Sequence, residues 1–265
     1  MGFWTNWHAV TILPTMAVSL VVAWLIGRAM RNVEKSKKYI PLQAIAVILL
    51  VLEVVKQIVT FTTLGTEEKL YSLPFHFCSL FLYLFPIHAF YHGKHRRFIE
   101  AATLSVSASL FLFMLIMPTV VYSDADIQGF FTNYLDFHTV TFHALACFYF
   151  MLMVSLGLYH QDTKEDLKGF TIFILGYEVV ATAMSYLLNT NFHNLLRCNL
   201  GAGEGLRQSL VASMGNWGQV IYTLAIFVGT LIFVSVAYFA MVYVIRLARW
   251  CVAKLTHKQP QKVEE

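Results

Sequence analysis

Cys78 and His76 stand two residues apart in the stretch Leu73-Pro-Phe-His-Phe-Cys78, which opens an apolar run. His138 and His143 enter a second apolar run five residues apart, and Glu53, Lys56 and Gln57 lie in a third at i, i+3 and i+4. A thiol beside an imidazole can make and break acyl bonds. His143 and Cys147, at i and i+4, could ligate a metal together, but no H-E-x-x-H pattern or carboxylate accompanies them, and no metal or other cofactor is expected. Ionisable groups within apolar runs are costly and therefore hint at function. Each also has a plainer use: Glu53 and Lys56 as a structural ion pair, a histidine as a satisfied core residue, and Cys78 as a small buried apolar side chain.

The elements that must position these residues are membrane-spanning helices. Hydrophobic residues make up 58% of the 265-residue chain and charged residues 13%, against about a quarter charged in a soluble domain, and the mean hydropathy is +0.62. Apolar stretches of about 20 residues, enough to cross the hydrocarbon of a bilayer, recur near 9–29, 41–64, 73–91, 98–121, 136–159, 170–190 and 219–246. The breaks are too short for a second domain, so residues 1–265 read as a single transmembrane helical bundle, an all-α membrane protein of seven transmembrane helices. The first run lacks a basic leader and a small-residue cleavage pattern, so it reads as a retained helix.

Charge sets the expected orientation. Fifteen of the nineteen Lys and Arg fall in the first, third and fifth breaks and the C-terminal tail. Cytoplasmic loops accumulate such residues, which places the N-terminus outside and the C-terminus in the cytoplasm. The net charge of +4 fits basic loops beside anionic lipid and calls for no nucleic acid. Membrane lipids are the expected partners; oligomeric state is not legible.

That topology puts Glu53, Lys56, His76, Cys78, His138 and His143 in one polar layer toward the outer side. A third helix beginning at Pro74 sets His76 and Cys78 about 200° apart, so the two cannot be a dyad on one helix face. Any base for Cys78 then comes from another helix. Glu178, midway along the sixth run, could pair with His88, Lys56 or a proton pathway. The segment 191–218 is long enough for a lid or plug, and Pro118 should kink the outer end of the fourth helix. A disulfide between Cys78 and Cys198 is conceivable.

The pattern resembles the YwaF-like bacterial membrane proteins and the animal transmembrane-protein-164 group. The resemblance rests on Ser72-Leu-Pro-Phe-His-Phe-Cys-Ser79, Pro118, Phe137-His-x-x-x-x-His143 and Asn189-x-Asn191-Phe-x-x-Leu195. It departs at Arg197-Cys-Asn and Ser209-Leu-Val-Ala-Ser-Met-Gly215, where family members carry Lys-Pro and a Leu-Leu-Asp-x-Leu-Gly-Pro stretch. The resemblance implies phospholipid acyltransferase or acyl-ester hydrolase chemistry in the bacterial plasma membrane. Cys78 would be the nucleophile and His143 the base, preferred over His138 for its depth. His138 or His76 would orient it, Asn191 and Arg197 would hold a headgroup, and Glu53 and Lys56 would support the site.

Two other classes compete. A transporter could use Glu53, Lys56, the histidines and Glu178 to bind a proton or solute, although no pair of broken half-helices in related repeats is visible. A non-catalytic membrane protein could use the same layer only to hold its bundle together.

Overall fold

The structure is a computed structural model describing residues 4–159, 163–199 and 201–255. It is helical, with α1 (Asn6–Ala29), α2 (Ile40–Thr63), α3 (Thr66–Tyr71), α4 (Leu80–Phe90), α5 (Arg96–Ile116), α6 (Asp124–Gln128), α7 (Tyr134–Ser155), α8 (Thr163–Leu188), α9 (Gly201–Met214) and α10 (Asn216–Leu255). Among the described residues, six helices are long and apolar enough to cross a membrane, within α1, α2, α5, α7, α8 and α10. A shorter apolar helical stretch runs from Phe77 to Phe90.

Helix starts follow from local donors and acceptors. Thr5 caps α1 by accepting the His8 N–H, Asn133 caps α7 by accepting the Leu135 N–H, and Ser123 and Asp126 form a reciprocal capping box on α6. Proline enters α2 in its first turn, where no backbone donor is lost.

α5 is the centre of the bundle. In its most apolar window 67% of residues are buried, against 17% in α1. The run Ala101, Ala102, Thr103, Leu104, Ser105, Val106, Ser107, Ala108, Ser109 is buried throughout. Small side chains let α4, α7, α8 and α10 pack closely on it. Three of its hydroxyls find acceptors within the helix: Thr103 donates to the Ile99 carbonyl, Ser105 to that of Ala101 and Ser109 to that of Ser105. Around this centre α7 carries α1 and α2, while α8 and α10 close the other flank and α9 lies on α10.

The first and third breaks meet the residues that follow α7 at one end. There Lys35, Lys94, Arg96 and Arg97 line a pocket with Glu100 and Tyr159, Arg96 pairs with Glu100 at 3.0 Å, and the Arg96 guanidinium lies 4.1 Å from the Tyr39 ring centroid.

Several helix boundaries differ from those read in the sequence: α8 begins at Thr163 instead of 170 and α10 runs to Leu255 instead of 246, and two further differences bear on the site. The third run does not begin its helix at Pro74. Residues 73–76 are non-helical, Phe77–Ser79 is a single 3-10 turn, and regular helix starts at Leu80. Its carbonyls have been taken by side chains: Lys56 Nζ and Gln57 Nε2 each donate to the Ser72 carbonyl at 2.8 Å, Tyr83 donates to that of Pro74 at 2.9 Å, and His76 Nε2 to that of Tyr71 at 2.8 Å. Likewise α5 stops at Ile116 instead of reaching 121. Met117, before Pro118, takes φ −137° and ψ 60°, because a residue preceding proline is pushed out of the helical region.

A close helix approach gives a test. A Cβ on Gly27 of α1 would stand 2.7 Å from the Ser155 carbonyl oxygen at the end of α7, whereas one on Gly229 of α10 meets nothing within 4 Å. Gly27→Ala is expected to cost about 1–3 kcal/mol by overpacking and to lower the melting temperature in detergent, with Gly229→Ala unchanged as the control.

Candidate functional site

At the end opposite the basic pocket lies a cavity of about 980 Å³, lined by residues of α2, α3, the 72–76 strip, α7 and the segment after α8. Lys56, His76, His138, Asn191 and Arg197 all line it, and Glu67 and Glu68 lie among its walls. Glu53, Cys78 and His143 are outside that lining, so the polar layer is not one chamber.

The first region is centred on Glu53, which is buried. Its Oε1 accepts from Lys56 Nζ at 3.0 Å and from Gln57 Nε2 at 2.6 Å, and its Oε2 lies 3.3 Å from His138 Nε2. That last separation is an ion-pair distance without hydrogen-bond alignment, since His138 Nε2 has no aligned acceptor. The i, i+3, i+4 spacing therefore does what helix geometry predicts and brings three side chains onto one face. The same lysine and glutamine reach the Ser72 carbonyl, so this cluster also holds the unwound strip.

The second region lies on α7. His143 is buried, and its Nδ1 faces the Thr139 carbonyl oxygen at 2.7 Å. A carbonyl can only accept, so Nδ1 carries the proton and the Nε2 of the neutral ring is a lone pair. That Nε2 has no partner among the described residues. Cys147 sits one turn further along α7, and the Cys78 thiol is within electrostatic reach of Cys147, Tyr71 and Tyr177. No hydrogen bond joins Cys78 to His143 among the described residues. All four cysteines are free thiols, which sets aside a Cys78–Cys198 disulfide.

His76 is not on a helix with Cys78. It is extended, with φ −83° and ψ 159°, at the entrance to the 3-10 turn. Its ring packs 4.4 Å from that of Tyr71 and 5.3 Å from that of Phe192, and its carbonyl accepts from the Tyr177 hydroxyl at 2.6 Å.

The segment after α8 turns into the bundle. Phe192 and Leu195 are fully buried, and Asn189, His193 and Asn194 take positive φ, at 48°, 49° and 59°. The Asn191 side chain folds this segment, accepting the Leu196 and Arg197 N–H groups and donating to the Arg197 carbonyl. Glu204 then accepts the Cys198 N–H and pairs with Arg207, and the Arg207 guanidinium first, with that N–H second, holds its carboxyl well below the usual range, at about 2.

Two features escaped the sequence. Glu178 pairs with His193 at 3.1 Å, whereas His88 meets the Tyr149 hydroxyl instead. His8, fully buried, contacts the Thr5 hydroxyl through Nδ1 and the Tyr122 carbonyl through Nε2, and Thr5 donates to Asp124. An ionisable residue immediately before the first apolar run was the available signal for His8. Among the described residues no three His, Cys, Asp or Glu side chains gather as metal ligands.

The chain matches the TMEM164 family over residues 3–243. It belongs to that family. No curated protein and no solved structure matches it. Membership in the TMEM164 family and six apolar helices make it an integral, multi-pass membrane protein.

The Glu53 cluster makes a stability prediction. Glu53→Ala removes the carboxylate that Lys56, Gln57 and His138 share, and breaking one side of a buried pair costs about 3–5 kcal/mol. Glu68→Ala, on an exposed residue, should fall within about 0.5 kcal/mol. Denaturant unfolding in detergent separates the two.

Proposed function

We propose that this TMEM164-family protein is a lipid acyl-transfer or acyl-ester-hydrolysing enzyme, with Cys78 as nucleophile and His143 as base. The observation that carries the reading is the unpartnered Nε2 of His143, fixed as a lone pair by the Nδ1 bond to Thr139. A general base needs its acceptor nitrogen held toward solvent or substrate by a bond on the other side of the ring. His138 is less suited, because its Nε2 faces the Glu53 carboxylate at 3.3 Å. Cys78 lies at a 3-10 turn and not within a regular helix, so small shifts of the strip can bring its sulfur to a carbonyl carbon.

In this scheme His143 Nε2 takes the Cys78 proton and the thiolate attacks an ester carbonyl. The ester C–O bond breaks, an acyl-cysteine forms, and the leaving alkoxide receives the proton from His143. An acceptor hydroxyl, or water, then gives its proton to His143 and attacks the thioester, which restores the thiol. His76 and Lys56 shape the strip, and Arg197, whose side chain has no partner among the described residues, offers its charge to a headgroup phosphate in the cavity. Seven crossings with the N-terminus outside fit this scheme, with the stretch Phe77–Phe90 as the third, and place the site toward the outer leaflet of a bacterial plasma membrane. The basic loops that meet at the other end support that orientation.

Purified protein in phospholipid vesicles should lose acyl turnover in Cys78→Ala and fall by about 10²–10⁴ in His143→Gln, while His138→Gln retains more activity than His143→Gln. A fluorescent phospholipid ester should trap a hydroxylamine-sensitive thioester on Cys78. Turnover by Cys78→Ala at the wild-type rate would end this reading.

A further inference from the structure

The acyl scheme makes no use of Glu178, which is fully buried in the membrane-spanning part of α8. His193 Nδ1 lies 3.1 Å from its Oε1, off the line of a good hydrogen bond, and neither carboxylate oxygen has an aligned partner among the described residues. One and two turns further on, at i+4 and i+7, the Thr182 and Ser185 hydroxyls are also buried and unpartnered. These three residues share one face of α8, and the helix then ends at Leu188, which lines the cavity with Asn189, Thr190 and Asn191.

We propose that Glu178 and His193 form a buried proton-binding site, fed from the cavity along the Ser185 and Thr182 hydroxyls, whose single proton locks the 189–199 segment against the Cys78 strip. A bare carboxylate beside a neutral imidazole would leave a charge buried without compensation, as would an imidazolium beside a neutral carboxyl. With one proton the pair is neutral overall and attractive. Adding or removing a proton breaks it. Glu178 to Ser185 spans about 10 Å of helix, and unpartnered buried hydroxyls in a row are places for ordered water, which can pass a proton along.

The lock has structural reach. His193 and Asn194 hold backbone angles that non-glycine residues avoid and that persist only where surroundings enforce them. The pair with Glu178 is one such constraint, and the Tyr222 hydroxyl bond to the Asn194 carbonyl at 2.6 Å is another. With His193 fixed, its ring meets Phe77 at 5.4 Å, and Phe192 meets Phe75 at 5.3 Å and His76 at 5.3 Å. Three ring contacts thereby press on residues 75–77, next to Cys78.

The other ionisable groups facing the pair are few. Tyr177 adjoins Glu178 on α8, and His76 is coupled electrostatically to His193 from the strip. α5 carries charge only at its basic end, at Arg96, Arg97 and Glu100, and α10 contributes Tyr222. At the far end of the segment Glu204 has a depressed pKa. Its stabilising pair with Arg207 is therefore complete above the ordinary carboxylate range and lost only as pH falls toward about 2. Any pH response of the segment near neutrality comes from elsewhere.

Infrared difference spectroscopy of the full protein in vesicles, across a pH series, reads the proton directly and needs no acyl turnover. Wild type should show a carboxylic C=O band that changes with pH, disappears in Glu178→Gln and shifts its midpoint in His193→Gln. The melting temperature should vary with pH in wild type and less so in both variants. Thr182→Val with Ser185→Ala should slow proton uptake after a pH jump several-fold without moving the midpoint. An unchanged band in Glu178→Gln overturns the site, and unchanged uptake in the hydroxyl variant overturns the route. Should Glu178→Gln fail to fold, a midpoint in His193→Gln identical to wild type overturns the pairing.

Discussion

Capture of the Ser72 carbonyl by Lys56 and Gln57 is the interaction on which the cavity depends. A backbone carbonyl at membrane depth has no water to turn to, so a chain leaves the helical state there only where other groups supply the missing donors. Here α2 supplies two of them, Tyr83 a third and His76 a fourth. Glu53 makes this possible by neutralising Lys56 within the same cluster. The ion pair is therefore not an ornament of α2. It lets residues 73–76 run non-helically beneath the cavity and delivers Cys78 at the mouth of a 3-10 turn.

A division of labour among the histidines follows from what each ring faces. His138 faces Glu53, His76 holds the Tyr71 carbonyl, His88 meets Tyr149, and His8 bridges Thr5 and the Tyr122 carbonyl. Those four tie elements together. His143 is anchored to its own helix, through the Thr139 carbonyl, and its Nε2, like those of His88 and His138, has no aligned hydrogen-bond partner among the described residues, but no carboxylate faces it as Glu53 faces His138. The distinction does not depend on depth, which was the sequence-level reason for preferring His143.

Helices and the approximate ends of most of them were legible because apolar runs and N-cap chemistry are local. So was the Glu53–Lys56–Gln57 face, which needs only helical periodicity. The unwound strip at 73–76 was not, because proline at a helix start reads the same whether or not the following carbonyls are captured by another helix. The partner of Glu178 was hidden for a related reason. His193 lies in a polar segment whose path into the bundle depends on positive φ at Asn189, His193 and Asn194, residues that do not announce such a conformation as glycine would. The TMEM164 resemblance was carried by the motifs around Cys78 and His143, but family motifs give no distances.

The two polar systems converge on one short stretch of backbone. From α2, Lys56 and Gln57 hold residue 72; from α8, Tyr177 holds the carbonyl of residue 76, and the neighbouring Glu178 holds the segment whose rings cover residues 75–77. Tyr177 and Glu178 are adjacent in sequence, so a movement of α8 that releases one disturbs the other. A thiol suspended between two such anchors is positioned by side chains on helices α2 and α8, and not by its own helix. The free energy that holds Cys78 in place is thus stored in charge pairs and single hydrogen bonds, interactions that respond to proton and headgroup charge, while the apolar core around α5 stays indifferent to both.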